Sequence, residues 1–445
     1  MWVRTLPVLD GRLDGMNRSR SDNFKVELGR VRQEPILASP FAPVMVLGPH
    51  RSRKTTSLVV PPLLDWPGSA LVTSLREDVI EQSIESRRAR GDVMIVDPTD
   101  ILSGWPDRVG WSPLDFINDW DEALSVARIL VESGDRRMRL NENFWTEAAI
   151  MMLAPYLLAA AKNGRPMFDV LRWVHTSEET EVAALLESAG ETDIIESARS
   201  RWGQGREQAS TTLSIQTSLS VWERRKVTGL SAAESRLQFK RFLSGPSNTL
   251  YVCASPYSQN EYKPYYTAFM RLFLQEVYKS NSGFANFELG LRGPIAALEA
   301  SEGTVYPLLV VLDDTGSISP VPEMSGLVST AAKAAIQLIT VFTDVSQIEG
   351  IYGKEITRSI LNNHSEIVVY PGSRDPATAE FVDQLLQNEP VSGLTVGQLP
   401  SDAVRKLAWG KALSLSSNRA PLVMELRSSL ADSDLINLRQ GGNSA

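Results

Sequence analysis

Two short segments carry residues able to handle a phosphoanhydride. The first is Gly48-Pro49-His50-Arg51-Ser52-Arg53-Lys54-Thr55-Thr56. It approximates the pattern G-x-x-x-x-G-K-[ST], in which backbone N–H groups and a helix N-terminus bind phosphates. The lysine reaches the β- and γ-phosphates, and the following hydroxyl binds Mg²⁺. On this reading all nine residues form a nucleotide-binding loop, Lys54 is its catalytic cation and Thr55 is a metal ligand. Arg53 stands where the second glycine is expected. Its Cβ and long side chain either clash with a loop curled around phosphate or turn outward. These nine residues alone also read as a Ser/Arg-rich turn between a strand and a helix.

The second segment is Leu308-Leu-Val-Val-Leu-Asp313-Asp314. An apolar strand ending in Asp matches the site that holds Mg²⁺ through water, usually followed by a Glu that polarises the attacking water. Asp313 takes the metal role. Asp314 takes the catalytic one, on a side chain one methylene shorter, which weakens the positioning of water. A strand-end turn is the alternative for Asp313-Asp314. The two motifs occur in order, on strands of the kind that share one sheet, and so point to ATP and Mg²⁺ as cofactors.

The elements that must position these residues follow from hydrophobic patterning. Pro43–Leu47, Ala70–Thr73, Val93–Val96, Leu250–Cys253, Leu308–Leu312, Ile336–Phe342 and Ile367–Tyr370 are short continuous apolar runs. Such runs suit strands buried on both faces. They alternate with helical patterns at Lys54–Val60, Asp78–Arg90 and Pro264–Lys279, which indicates an α/β fold with a mainly parallel sheet. From Asp119 to about Leu237 the pattern is helical, at Glu122–Glu132, Phe144–Lys162, Glu178–Ser188 and Ser197–Arg225. This predicts an all-α domain, 118–240, inserted into a sheet domain made of 41–117 and 241–420. Residues 1–40 are read as a loose N-terminal arm with one strand at Phe24–Leu28, 280–306 as a surface loop, and 421–445 as a C-terminal tail, polar and frayed after about Ser428.

Bulk properties exclude several classes. The 445 residues carry 45 basic and 53 acidic side chains, a formal charge of −8, so the chain has no overall basic footprint for nucleic acid. One cysteine, Cys253, excludes an intrachain disulfide and fits a reducing cytoplasm. Three histidines and one cysteine are too few for the usual zinc frameworks. No signal peptide is read at the N-terminus. The most apolar stretch, Ala148–Ala161, is shorter than the ~18–20 residues that span a bilayer and reads as a buried helix.

Several ordered segments together resemble the type IV secretion coupling proteins, the TraG/TraD group of conjugative DNA-transfer ATPases. They are Val46–Thr56, Val60–Ser69, Val96-Asp-Pro98, Trp111-Ser-Pro-Leu114, Asn143–Ala149, Asn248–Val252, Leu312–Ile318, Leu361–His364 and Ser373–Ala377. The resemblance runs from about residue 40 to 415. It implies a RecA-like P-loop NTPase domain interrupted by an all-α domain linked to substrate recognition. It also implies a homo-oligomer, a hexameric ring with ATP between subunits, working beside a secretion channel on DNA or relaxase cargo. The expected location is cytoplasmic, peripheral to the inner face of the cell membrane. Against the family pattern, Arg53 replaces Gly, Asp314 replaces Glu, Ala332 occupies the place of an Arg and Thr343 that of a strand-end Gln. The N-terminal transmembrane helices common in the family are not read here. These departures imply weak hydrolysis. The alternative is a pseudo-ATPase acting as a structural or adaptor subunit, hetero-oligomeric with an intact homologue.

Other candidates carry weaker signals. Arg136-Arg-Met-Arg139 and Arg224-Arg-Lys226 are basic clusters that read either as DNA-phosphate contacts or as solvated faces. Lys333 is a candidate substitute for the missing trans-acting Arg. His364 is read as a structural hydrogen-bonding residue, Cys253 as a small core residue, and Trp145, Met151 and Met152 as core.

Overall fold

A computed structural model of the protein describes residues 24–134, 143–202, 206–232, 235–281, 307–318, 321–386, 391 and 400–440. Among these, eleven strands form one sheet in the order β2-β1-β11-β10-β9-β3-β8-β7-β4-β6-β5. The strands are β1 (Glu27–Val31), β2 (Glu34–Leu37), β3 (Val44–Leu47), β4 (Ser69–Ser74), β5 (Val93–Val96), β6 (Thr249–Cys253), β7 (Leu308–Leu312), β8 (Ile336–Phe342), β9 (Glu366–Val369), β10 (Lys411–Ser416) and β11 (Arg419–Glu425). From β9 to β5 every neighbouring pair is parallel. The half from β2 to β9 is antiparallel.

β3, β4, β6, β7, β8 and β9 are buried at every position. Helices cover both faces of a parallel sheet, so these strands need no polar side, and their sequences are the continuous apolar runs. Register fixes what emerges at the edge. Leu47 of β3 pairs with Phe342 of β8, and Leu312 of β7 pairs with Thr340 of β8. The residues that follow β3, β8 and β7 therefore leave the sheet side by side at its carboxyl edge. In open α/β sheets that edge is where ligands bind.

On the sheet body, α1 (Val60–Asp65) and α2 (Asp78–Arg88) follow β3 and β4. Arg87 of α2 is fully buried. It donates to the carbonyls of Trp66 (2.7 Å), Gly68 (2.6 Å) and Ser247 (3.2 Å) and to Thr249 Oγ1 (2.6 Å). Burial lowers its pKa to about 10, so the guanidinium stays charged, held by carbonyl dipoles rather than by a carboxylate.

Between β5 and β6 lie α3 (Trp120–Gly134), α4 (Asn143–Lys162), α5 (Met167–Thr176), α6 (Thr180–Ser188), α7 (Thr192–Arg199), α8 (Arg206–Leu219), α9 (Arg225–Ser231) and α10 (Phe239–Ser244). This is the helical insertion. α11 (Gln259–Ser280) packs along α3 and joins the insertion to the sheet. Trp111 sits at the junction, with ring centroids 5.2 Å from Trp222, 5.0 Å from Tyr265 and 5.1 Å from Phe269. Backbone bonds from Gly110 N to Ser235 O and from Leu237 N to Gly110 O, each 2.8 Å, tie the entering and leaving strands of chain together. Buried aromatic pairs of this geometry add about 0.5–1.5 kcal/mol each beyond their burial.

Three expectations are corrected. The single helix read over Ser197–Arg225 is divided: α7 ends at Arg199, α8 begins at Arg206, and a short 3₁₀ turn, Ser220–Glu223, precedes α9. The arm read over 1–40 instead supplies β1 and β2 from residue 27 onward, joined by Arg32 (φ 50°) and Gln33 (φ 71°). Both central residues are left-handed, the conformation that matches the twist of a two-residue hairpin. The tail read over 421–445 contains most of β11 and a helix at Ser433–Arg439, with Leu435 and Leu438 buried. Arg427 anchors it, bonded to Asp65, Glu27 and Asp432. Of the loop read over 280–306, residues 282–306 lie outside the described residues.

Candidate nucleotide site

The loop leaves β3 at Gly48, whose N–H donates to Phe342 O at 3.2 Å. A Cβ on Gly48 would lie 2.7 Å from Tyr370 Cβ, so only glycine fits between the loop and the end of β9. Arg51 (φ 63°) and Arg53 (φ 68°) are both left-handed. The chain thus adopts at residue 53 the conformation for which glycine is favoured, with an arginine in it. Such placement costs on the order of 1 kcal/mol. The Arg53 side chain turns outward, exposed, and its guanidinium lies 6.0 Å from the ring centroid of Trp409. His50 and Arg51 are also exposed. Ser52 is buried and its hydroxyl has no hydrogen-bond partner.

Lys54 opens the helix. Thr55–Val59 is a π-helical stretch that runs into α1. Pro61 and Pro62 explain it, since neither has an N–H to close the ordinary bonds to Ser57 and Leu58. The Lys54 side chain folds back into the loop, donating to Gly48 O at 2.5 Å and Pro49 O at 2.9 Å. Burial lowers its pKa, opposed by Asp313, Asp314 and Asp344.

Across β8, Thr55 Oγ1 donates to Asp313 Oδ2 at 3.2 Å. The same carboxylate accepts the Asp314 N–H on Oδ1 at 3.1 Å, and Thr73 Oγ1 donates to the Asp313 carbonyl at 3.0 Å. Asp313 is 4% exposed. Burial pushes its pKa up to about 7, with the Asp314 charge adding to the rise and Lys54 opposing it. A carboxylate in this state is short of positive charge, and the Thr55 hydroxyl beside it offers a second oxygen ligand. The pair can hold a hard divalent cation. Asp314 has φ 48°, left-handed, directly after the strand.

Between them, the end of β8 brings residues that sequence reasoning missed. Asp344 caps the helix Val345–Tyr352 by accepting from Gln347 N at 2.7 Å, and its charge reaches Lys54. The Gln347 side chain returns to the strand end, where its Oε1 accepts from Thr343 N at 2.9 Å. It also packs on Gly316, where an added Cβ would lie 3.1 Å from the Gln347 amide. A glutamine amide therefore stands beside Thr343, supplied by the next helix. The only sequence signal was Asp344 three residues before Gln347, an N-cap pattern.

Comparison with known proteins places the chain in a family. The model of the family "Type IV secretory system Conjugative DNA transfer" matches residues 16–396. The conjugal transfer protein TraG of Escherichia coli is 22% identical over 367 residues, covering 77% of this chain and 54% of TraG. TraG of Agrobacterium fabrum (strain C58 / ATCC 33970) is 20% identical over 343 residues, covering 74% of this chain and 48% of that protein. This chain belongs to the type IV secretion conjugative DNA-transfer family. It spans about half the length of the curated relatives it matches.

Solved structures agree on the fold. The bacterial conjugative coupling protein TrwBdeltaN70 superposes with a TM-score of 0.64 at 16% identity, covering 91% of this chain and 89% of that one. TrwB in complex with ADP and Mg²⁺ gives a TM-score of 0.64 at 16% identity, over 94% of this chain and 97% of that one. VirB4 of Thermoanaerobacter pseudethanolicus gives 0.54 at 12% identity, over 92% and 97%. The fold is thus a mixed, mainly parallel sheet with a helical insertion, like that of the coupling protein TrwB. No helix among the described residues is long and apolar enough to cross a membrane.

The remaining candidates separate by position. Ala332 and the exposed Lys333 lie in a 3₁₀ turn that enters β8, at the opposite end of that strand from the loop. The seven residues of β8 put roughly 20 Å between them and the chain's own Asp313. Arg136–Arg139 lie outside the described residues. Arg224 pairs with Glu261 and stacks on Tyr262, and Lys226 donates to Thr99 O. These two cations brace the insertion against neighbouring segments. His364 is buried between Thr340 Oγ1 (2.9 Å) and Ile360 O (2.7 Å), its pKa lowered to about 4 by burial, a neutral structural imidazole. Cys253 is buried and free, with its thiol pushed up by burial. Met152 is buried in the core, and Met151 and Trp145 are partly exposed.

Proposed function

We propose that the chain is a nucleotide-binding module of a conjugative coupling ATPase and that it hydrolyses ATP weakly. The observation that carries this reading is the convergence, at one sheet edge, of Thr55 with Asp313 (3.2 Å) and of Lys54 within the loop. Residues 48–56 would cradle the phosphates, with Lys54 as their cation and the partnerless Ser52 hydroxyl inside the loop. Thr55 and Asp313 would hold Mg²⁺, and Asp314 would position water. TrwB, which shares the fold, has been solved with ADP and Mg²⁺. The module would assemble as a ring, hexameric or mixed with an intact homologue, at the cytoplasmic face of a membrane beside a secretion channel, with DNA or a relaxase as cargo.

Weak hydrolysis is favoured by two features. Asp314 is short and left-handed, and Ala332 offers no guanidinium. The alternative, a pseudo-ATPase adaptor, draws on the bonds from Lys54 Nζ to Gly48 O and Pro49 O, which spend inside the loop the donors a phosphate would need. Calorimetric titration with Mg²⁺ and ATP, beside steady-state phosphate release, separates these readings. Micromolar binding lost in Lys54→Ala, with slow turnover, supports the module as proposed. Absence of binding supports the adaptor, and rapid turnover abolished by Lys54→Ala overturns the weak-hydrolysis claim.

A further inference from the structure

Trp66, Trp111, Trp173 and Trp222 are fully buried, whereas Trp409 is 70% exposed. It is also held in place. Its turn is closed by Lys411 N to Ala408 O (3.1 Å) and locked to the end of β11 by Leu426 N to Gly410 O (2.7 Å). Gly410 has φ +85° with open space around it, so the turn is tight on the backbone side and clear on the solvent side. With the backbone of the turn already fixed, binding at the indole need not order the loop that carries it.

Its position is the second observation. Arg53, whose guanidinium lies 6.0 Å from the Trp409 ring centroid, immediately precedes Lys54. The Ser429 N–H donates to Thr56 O at 2.8 Å, so the C-terminal segment closes on the same turn of helix. Trp409 thus stands beside the phosphate loop, with the Arg53 side chain between its ring and the loop backbone. Arg53 is the cation that steadies the ring, while the rest of the indole faces solvent.

We infer that Trp409 is the base platform of the site: the nucleobase of a bound nucleotide stacks on its open face, with Arg53 as the positioning residue that fixes the indole. This rests on the nucleotide site proposed above, and it gives the arginine in the glycine place a task. Aromatic stacking of a base tolerates any base and contributes enough to be read as affinity.

The test compares Mg²⁺–ATP with Mg²⁺–tripolyphosphate, which has no base, by calorimetry on the full chain and on Trp409→Ala and Trp409→Phe, each confirmed folded by its melting curve. The expected result is ATP binding weakened about ten-fold in Trp409→Ala, a loss within the usual range for one stacked base. Trp409→Phe recovers most of it, and tripolyphosphate binding is unchanged throughout. If the wild-type chain binds neither ligand, the nucleotide site itself fails, and the platform with it. If ATP and tripolyphosphate bind wild type and Trp409→Ala alike, the platform is wrong and the site stands. Equal weakening of both ligands would make Trp409 a strut for the loop and overturn the inference.

Discussion

Replacing Asp313 by Asn tests the electrostatics of the site in a single residue. The carboxylate is buried, faces Asp314, and has its pKa pushed from 3.8 to about 7. A group whose folded pKa lies above its unfolded value binds protons more tightly in the native state. The folded chain is then penalised as pH rises between the two values. The penalty is absent below about pH 4, grows through the window, and is complete above about pH 7. Its ceiling is about 4 kcal/mol. The attraction of Lys54 is already contained in the shifted value, so Asn, which mimics the protonated acid, is expected to gain up to about that amount. In the absence of metal and nucleotide, Asp313→Asn is therefore expected to melt higher than wild type at pH 8 and at nearly the same temperature at pH 3.5. Adding Mg²⁺ and ATP should raise the melting temperature of wild type and leave Asp313→Asn unmoved, because the cation's carboxylate is gone. Differential scanning calorimetry across pH reads all three. A variant less stable than wild type at pH 8, or a difference independent of pH, would refute the assignment of Asp313 as a buried, undercompensated charge.

Two further substitutions probe the scaffold. Arg53→Gly relieves a left-handed arginine and is expected to stabilise the chain by up to about 1 kcal/mol, net of the freedom glycine adds to the unfolded state; a denaturant titration checks the sign, and the Trp409 fluorescence should shift as its cation leaves. Arg87→Ala strips the Gly68 carbonyl of this donor and leaves the Trp66 carbonyl to Arg90 alone. It should cost about 3 kcal/mol or more, read by thermal melting, with Arg87→Lys recovering only part because an ammonium cannot span the same set of acceptors.

The legible half of the fold was the parallel half. Val44–Leu47, Leu308–Leu312 and Ile336–Phe342 are apolar at nearly every position because helices cover both faces, and a run of that kind stands out from its surroundings. Gln337 and Thr340 are the polar exceptions within β8, each buried and hydrogen-bonded. Two strands of the antiparallel half, β2 and β11, were hidden for the opposite reason. β2 has no buried position, and β11 is buried only at Met424, so polar residues at Glu34, Arg419 and Glu425 mask the strand pattern. The helix Ser433–Arg439 was equally quiet, since its attachment depends on Arg427 meeting Glu27 and Asp65 from distant parts of the chain.

The candidate site divides along the same line. Residues 48–56 and 313–314 were legible because each motif is local: a strand, a turn, and a few residues at fixed spacing. Asp344, Gln347 and Trp409 were not, because each reaches the site through tertiary placement. Asp344 and Gln347 come from the turn after β8, and Trp409 from the turn before β10. This bears on how the departures are weighed. Taken along the sequence, Thr343 is a lost glutamine and Arg53 a lost glycine. In space, a glutamine amide stands against Thr343 N at 2.9 Å, and Arg53 has the backbone of the glycine it replaces and a ring to rest on. Asp314 and Ala332 find no such replacement among the described residues, since Lys333 faces away from its own loop by the length of β8. The parts of the site that would bind nucleotide are those compensated in space, and the parts that would hydrolyse it are those that are not. That asymmetry is the physical basis for expecting binding with slow turnover, and any faster reaction would need a cation from outside the described residues.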